Sequence, residues 1–229
     1  MDFFEAFPHL RQEQDPALKG RALRLIGLSG IAYDDAAYYF EVTQQRYWTQ
    51  VPGGKLAIGV GGIQAKLSSS QQLLKTLFRQ VRDVWLTEPQ RVPGGGTTLL
   101  EGERCTLLSG EYDAEVAMPH LLLLTTPQLG GGEVPDALVQ VVYRVKLRKP
   151  PYPGQVPGIV RISREALGTF LSQEQWPLAD LAKESWVEVL ATELLPDAAY
   201  LRPVLALRGL QRLWQKGWLS EEGICLPTG

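Results

Sequence analysis

The sequence predicts an α+β fold, and three features predict it. Short runs rich in branched and aromatic residues, VQVVYRVKL above all, alternate with Gly- and Pro-rich breaks and read as strands. One segment, residues 70–86, repeats apolar residues at spacings of three and four and reads as an amphipathic helix. Strands stand on both sides of that helix in the chain, an order that sets a helix against a sheet.

Residues 1–20 are polar, carry Pro8 and Pro16, and read as an arm or a short helix. LRLIGLSGIAYDDAAYYFEVTQQRYWTQ follows as strand, turn, strand, its second strand centred on the aromatic residues 38–42. Pro52, Gly53 and Gly54 break the chain, and KLAIGVGG is a short strand ending in glycines. In the helix, Leu73, Leu74, Leu77, Phe78, Val81 and Trp85 form the apolar stripe; Ser68, Ser69 and Ser70 offer caps, and Pro89 lies past the end. Residues 116–126 and 137–147 read as strands joined by the glycine-rich loop PQLGGGEVPD. KPPYPGQVPG is an extended loop and 159–162 a short strand. Ser163 then starts a helix with half a capping box, since Ala166 stands where the acid belongs. Residues 178–194 and 201–218 read as helices that pack as a pair joined at Pro196, the second with a stripe of Val204, Leu207, Leu210, Leu213 and Trp214. The chain is thus expected to divide into an arm and first strand (1–34), a main domain (35–185) and a helical extension packed on it (186–229).

Composition narrows the function. Hydrophobic residues are 45% and charged residues 21%, which is enough apolar content to build a core and argues against disorder. A net charge of −2 argues against a general nucleic-acid binder, because phosphate binding needs a concentrated Lys/Arg excess. No apolar run approaches membrane-spanning length, and the opening MDFFEAFPHL lacks the basic start of a signal peptide, so the expectation is a cytoplasmic protein. Two histidines, His9 and His120, and two cysteines, Cys105 and Cys225, are too few and too scattered for a zinc site. They also form no recognisable nucleophile arrangement with a serine or an acid.

The text GKLAIGVGGIQAKLSSSQQLLKTLFRQVRDVW, with VVYRVKL and IVRISREALGTFLSQEQWPLADL after it, resembles the Nudix hydrolase family over about residues 35–185. The resemblance implies an α/β/α sandwich around a mixed sheet. In that family a glycine, five residues, a glutamate and seven residues lead to Arg-Glu-apolar-x-Glu-Glu. The chemistry needs those acids: diphosphate hydrolysis uses divalent cations, hard cations want carboxylate oxygens, and glutamates three and four apart share a helix face.

Matched to the motif, Arg79 is the arginine, Gln80 replaces the next glutamate, Val81 keeps the apolar place, Asp83 stands at the first paired glutamate and Val84 at the second. Gln71 falls where the upstream glutamate belongs, and Gly62 requires a short insertion around the serines. The resemblance therefore implies degenerate motif positions at Arg79, Gln80 and Asp83, and ligand contacts from Gly61, Gly62 and the loop acid Glu133. It implies magnesium only if the chain is active, held by Asp83 with Glu103 or Glu111. Without that role, Arg79 and Asp83 are expected to form a surface ion pair, and the glycines a tight turn or bulge.

Three functions follow as expectations. The first is a protein that binds a nucleoside-diphosphate-linked small molecule with hydrolysis impaired. The second is a divergent magnesium-dependent hydrolase. The third is a partner-binding or homodimer module that docks through residues 178–218.

Overall fold

The computed structural model describes residues 1–12, 16–67, 72–92, 96–108, 119–126, 135–192 and 194–219. Its elements, in chain order, are α1 (Phe3–Ala6), α2 (Pro8–Gln12), β1 (Leu23–Tyr33), β2 (Ala37–Val42), β3 (Thr49–Val51), β4 (Lys55–Gly61) and β5 (Ile63–Ala65). Then come α3 (Leu73–Trp85), β6 (Pro89–Gln90), β7 (Thr98–Glu101), β8 (Arg104–Leu107), β9 (Leu121–Thr125), β10 (Ala137–Leu147) and β11 (Gly158–Ser163). The chain ends with α4 (Leu167–Leu171), β12 (Trp176–Pro177), α5 (Leu178–Leu181), β13 (Val187–Ala191), β14 (Tyr200–Pro203) and α6 (Leu205–Gln215). This is an α+β protein with a mixed sheet: β7–β9 and β4–β14 are parallel pairs, and the other pairs of known register are antiparallel.

The chain forms two compact units, neither continuous in sequence, so the division cuts across boundaries at 34 and 185. The first takes Met1–Gly30, Gln64–Phe78 and Val92–Arg144; the second takes Ile31–Ile63, Arg79–Arg91 and the chain from Val145 onward.

In the first unit the strand order is β1-β10-β9-β7-β8. The N-terminal segment is more than a polar arm. Phe3, Phe4, Phe7 and Leu10 recur at helical spacing and all are buried, with the Phe3 and Phe7 rings 5.0 Å apart. Asp2 caps α1, its Oδ1 accepting from the N–H groups of Phe4 (2.8 Å) and Glu5 (3.1 Å). Arg21 clamps Glu101 through both terminal nitrogens at 2.9 and 2.6 Å.

In the second unit β2 is central, with β11 on one side and β4 on the other; β13 extends the sheet beyond β11, and β14 and then β12 extend it beyond β4. Here the sequence reading needs correction. Residues 178–194 are not one helix: α5 is a single turn, and residues 187–191 form β13, each paired with β11 from Val187↔Ile162 to Ala191↔Gly158. Val187 and Val189 are β-branched, and β11 offers an unpaired edge, so ladder formation outweighs the helical preference of Leu, Glu and Ala nearby. Residues 200–203 are likewise strand, and the last helix starts at Leu205, so no helix pair forms around Pro196. Ser163 makes no side-chain cap; the chain turns through a 3-10 segment, Arg164–Ala166, into α4. Among the described residues, no helix is long and apolar enough to cross a membrane.

α4 and α6 meet at a glycine. A Cβ on Gly168 would lie 2.3 Å from the ring atoms Cη2 and Cζ2 of Trp214, so the two helices approach closely only because position 168 has no side chain. Gly168→Ala is expected to lower stability by about 1–3 kcal/mol through overpacking, read as a lower urea midpoint at unchanged slope. An unchanged midpoint would mean that the two helices are not held in this contact.

Candidate functional site

Alternation along β2 puts Tyr39, Glu41 and, just past its end, Thr43 on one sheet face. The neighbouring strand answers with glycines. Glu41 pairs with Gly61, and the Thr43 N–H donates to the Gly59 carbonyl at 2.9 Å, setting Thr43 beside Gly59. From the far side of β4, Arg202 of β14 pairs with Gly59, and the Val204 N–H donates to the Val60 carbonyl at 2.9 Å.

The glycines make room for this face. A Cβ on Gly59 would sit 2.9 Å from Thr43 Cγ2 and 3.2 Å from Val204 Cγ1, and one on Gly61 would sit 3.2 Å from the Val204 carbonyl oxygen. Trp85, the last residue of α3 and fully buried, turns its indole N–H towards the Glu41 carboxyl without closing a hydrogen bond to it.

Four polar atoms converge here without a hydrogen-bond partner: Glu41 Oε2, Thr43 Oγ1, Trp85 Nε1 and Arg202 Nε, all shielded from solvent. With strands about 4.8 Å apart and ~3.3 Å per residue, the three sheet residues span a patch roughly 10 Å by 7 Å. Each orphaned polar group costs about 1–3 kcal/mol, so a cluster of four is a large local debt for a fold to carry without use.

Electrostatics single out Glu41. Burial pushes its carboxyl up to about 7, the Trp85 indole opposing the rise. The neighbouring polar group on the same face is settled by contrast. Burial raises Asp34, yet the Tyr39 hydroxyl at 2.7 Å, the N–H groups of Ala36 and Ala37 at 2.8 Å each, and Arg161 together hold its carboxyl below the usual range. Burial, and then Asp34, push Tyr39 up to about 12. The Asp34 network fixes the β1–β2 turn; the Glu41 cluster is the part left without hydrogen-bond partners. It presents a carboxyl, a hydroxyl and two N–H donors, a set suited to hydrogen-bonding rather than to nucleophilic attack. Elsewhere, burial and Arg144 push His120 down to about 3, and burial pushes the Cys105 thiol up to about 11, leaving a neutral imidazole and an unreactive thiol.

The motif residues on α3 lie differently from their expected roles. Leu73, Leu77, Val81, Val84 and Trp85 are buried, Gln80 is half-buried, and Arg79 and Asp83 face solvent. Arg79 and Asp83 do not form the expected ion pair. Arg82 instead reaches Glu88 at 3.2 Å, with both side chains about half exposed. Gly59 and Gly61 lie inside β4 rather than in a turn, and Val204 covers Gly61, so no phosphate approaches the backbone there. Gly62 sits at the bend between β4 and β5.

Glu103 is exposed in the turn between β7 and β8, in the first unit, whereas Asp83 belongs to the second. Glu111, Glu133, Gln71, Cys225 and the serines 68–70 lie outside the described residues. Among the described residues no group of three or more His, Cys, Asp or Glu side chains is arranged to hold a metal. Position 80 offers a neutral amide, position 84 a buried valine and position 83 one exposed carboxylate, a set that does not fit a resident magnesium ion.

Sequence reasoning passed over Glu41, Thr43 and Arg202. The signal for the first was a lone acid in AYYFEV, a run too apolar to leave one of its faces in water. Arg202 was hidden by the helical reading of residues 201–218.

No protein-family model and no curated protein sequence matches the chain. Among solved structures it is similar to the solution structure of the E. coli ORF135 protein, with 13% identity, coverage of 63% of this chain and 79% of that one, and a TM-score of 0.33.

The raised Glu41 carboxyl has a stability signature. Below about 4.5 it is protonated whether the chain is folded or unfolded. Between about 4.5 and about 7 only the unfolded chain ionises, so the folded state loses ground as pH rises, by roughly 3 kcal/mol once pH passes 7. Glu41→Gln cannot ionise and removes this slope. Urea denaturation of both proteins is expected to show the variant gaining on the wild type between about pH 5 and about pH 8. A difference that stays constant with pH would assign Glu41 an ordinary carboxylate environment.

Proposed function

We propose that this chain is a Nudix-like protein that binds a nucleoside-diphosphate-linked small molecule and does not hydrolyse it by the metal-dependent route. The observation that carries the reading is the orphaned cluster of Glu41, Thr43, Trp85 and Arg202, which lies on the glycine strand of the Nudix-like segment and against the end of its helix. The guanidinium and indole N–H groups suit carbonyl or phosphate oxygens, and the Thr43 hydroxyl serves either role. Glu41 accepts from an amino group when ionised and donates when protonated, and its raised pKa makes both forms accessible near neutral pH. A nucleobase edge carries donors and acceptors side by side and meets such a mixed set; a bare phosphate, which only accepts, leaves the ionised carboxyl unmatched.

Loss of hydrolysis follows from α3. The amide at Gln80, the apolar Val84 and the solitary Asp83 leave nothing to gather two cations at a diphosphate. Calorimetric titration with nucleoside diphosphates, sugar nucleotides and ADP-ribose-type compounds, with phosphate release followed in the presence and absence of magnesium, tests the reading. Saturable binding without turnover is expected. Arg202→Gln should weaken it by about tenfold or more, the usual loss for a hydrogen bond from a charged donor, while Asp83→Asn leaves it unchanged. Magnesium-dependent turnover abolished by Asp83→Asn would replace this reading with a hydrolase.

A further inference from the structure

The first unit holds a polar cavity that shares no residue with the Glu41 cluster. It has a volume of about 330 Å³ and is walled by the segment from Glu5 to His9, by the first turn of α3 and by Tyr143 of β10. α3 is long, at 13 residues, and its first turn carries no acid. The helical ladder opens with the Thr76 N–H donating to the Gln72 carbonyl at 3.0 Å, so the N–H groups of Leu73, Leu74 and Lys75 stand ahead of it. These amides take no acceptor among the described residues, and they carry the positive end of the helix dipole.

Tyr143 supplies an independent sign of a ligand. It is 5% exposed and lines the cavity, yet its hydroxyl has no hydrogen-bond partner among the described residues. Burial alone pushes its pKa up, so it stays a neutral donor. The hydroxyl is thus a donor that an acceptor in the cavity would engage.

Lys75 adds a cation at the rim and His9 an imidazole; among the described lining residues Glu5 is the opposing carboxylate. Phe7, Pro8 and Leu74 add an apolar wall, and Gln72 a neutral amide.

We propose that this cavity binds a small organic phosphate, its phosphoryl oxygens on the amides of Leu73, Leu74 and Lys75 and on the Tyr143 hydroxyl, its apolar body against Phe7 and Leu74. The donors converge from a helix end and a buried phenol, the geometry that suits a tetrahedral oxyanion. The apolar wall separates an organic monoester from free phosphate, because only the monoester buries apolar surface there.

The test is a titration of the full chain with phenyl phosphate and with inorganic phosphate at constant ionic strength, followed by amide NMR. Saturable shifts of the Leu73, Leu74 and Lys75 amides are expected, with phenyl phosphate binding several-fold tighter than inorganic phosphate. Tyr143→Phe, which removes one hydroxyl and keeps the ring, should weaken binding about tenfold, and Lys75→Gln about threefold; Glu5→Gln should tighten it. Shifts absent from these three amides, or equal affinity in Tyr143→Phe, overturn the site. Equal affinity for the two phosphates overturns the assignment of an organic monoester.

Discussion

The constraint on which the second unit rests is that β2 is bonded on both edges and covered on both faces. β11 takes one edge and β4 the other; Tyr38, Phe40 and Val42 are buried on one face and Tyr39 on the other. A strand so enclosed has no water to offer a polar side chain, so each polar residue on it must find a partner or bear the cost of desolvation. Tyr39 finds Asp34. Glu41 finds the edge of an indole and otherwise stays unmatched.

The glycines of β4 follow from the same enclosure. Thr43 and Val204 lean over the strand from opposite neighbours, and side chains at positions 59 and 61 would collide with them. The glycine alternation that looks like a phosphate-binding turn is a packing device for the sheet face. In α3 the stripe of Leu77, Val81, Val84 and Trp85 is committed to burial, and this places Arg79 and Asp83 in solvent. A helix that places Val84 in the core presents no carboxylate from that position.

The two ends of α3 have different electrostatic character. Its C-terminal residue turns an indole N–H towards the Glu41 carboxyl, and its N-terminal turn leaves three amides ahead of the ladder. Neither end depends on an acid within the helix.

The sequence by itself determined the local elements whose signals are short-range. The strand at residues 137–147 matches β10 residue for residue, and the stripe from Leu73 to Trp85 matches α3, because alternation and helical spacing are written into neighbouring residues. It also determined which motif positions lack carboxylates. The tertiary structure alone decided that residues 187–191 and 200–203 are strands, since their conformation comes from the free edges of β11 and β4 and not from their own propensities. It alone decided which polar atoms are orphaned as well. Shielding of Glu41 Oε2, Thr43 Oγ1 and Arg202 Nε depends on three strands that are distant in sequence and adjacent in space, and hydrogen-bond satisfaction is a property of that packing rather than of any residue's identity.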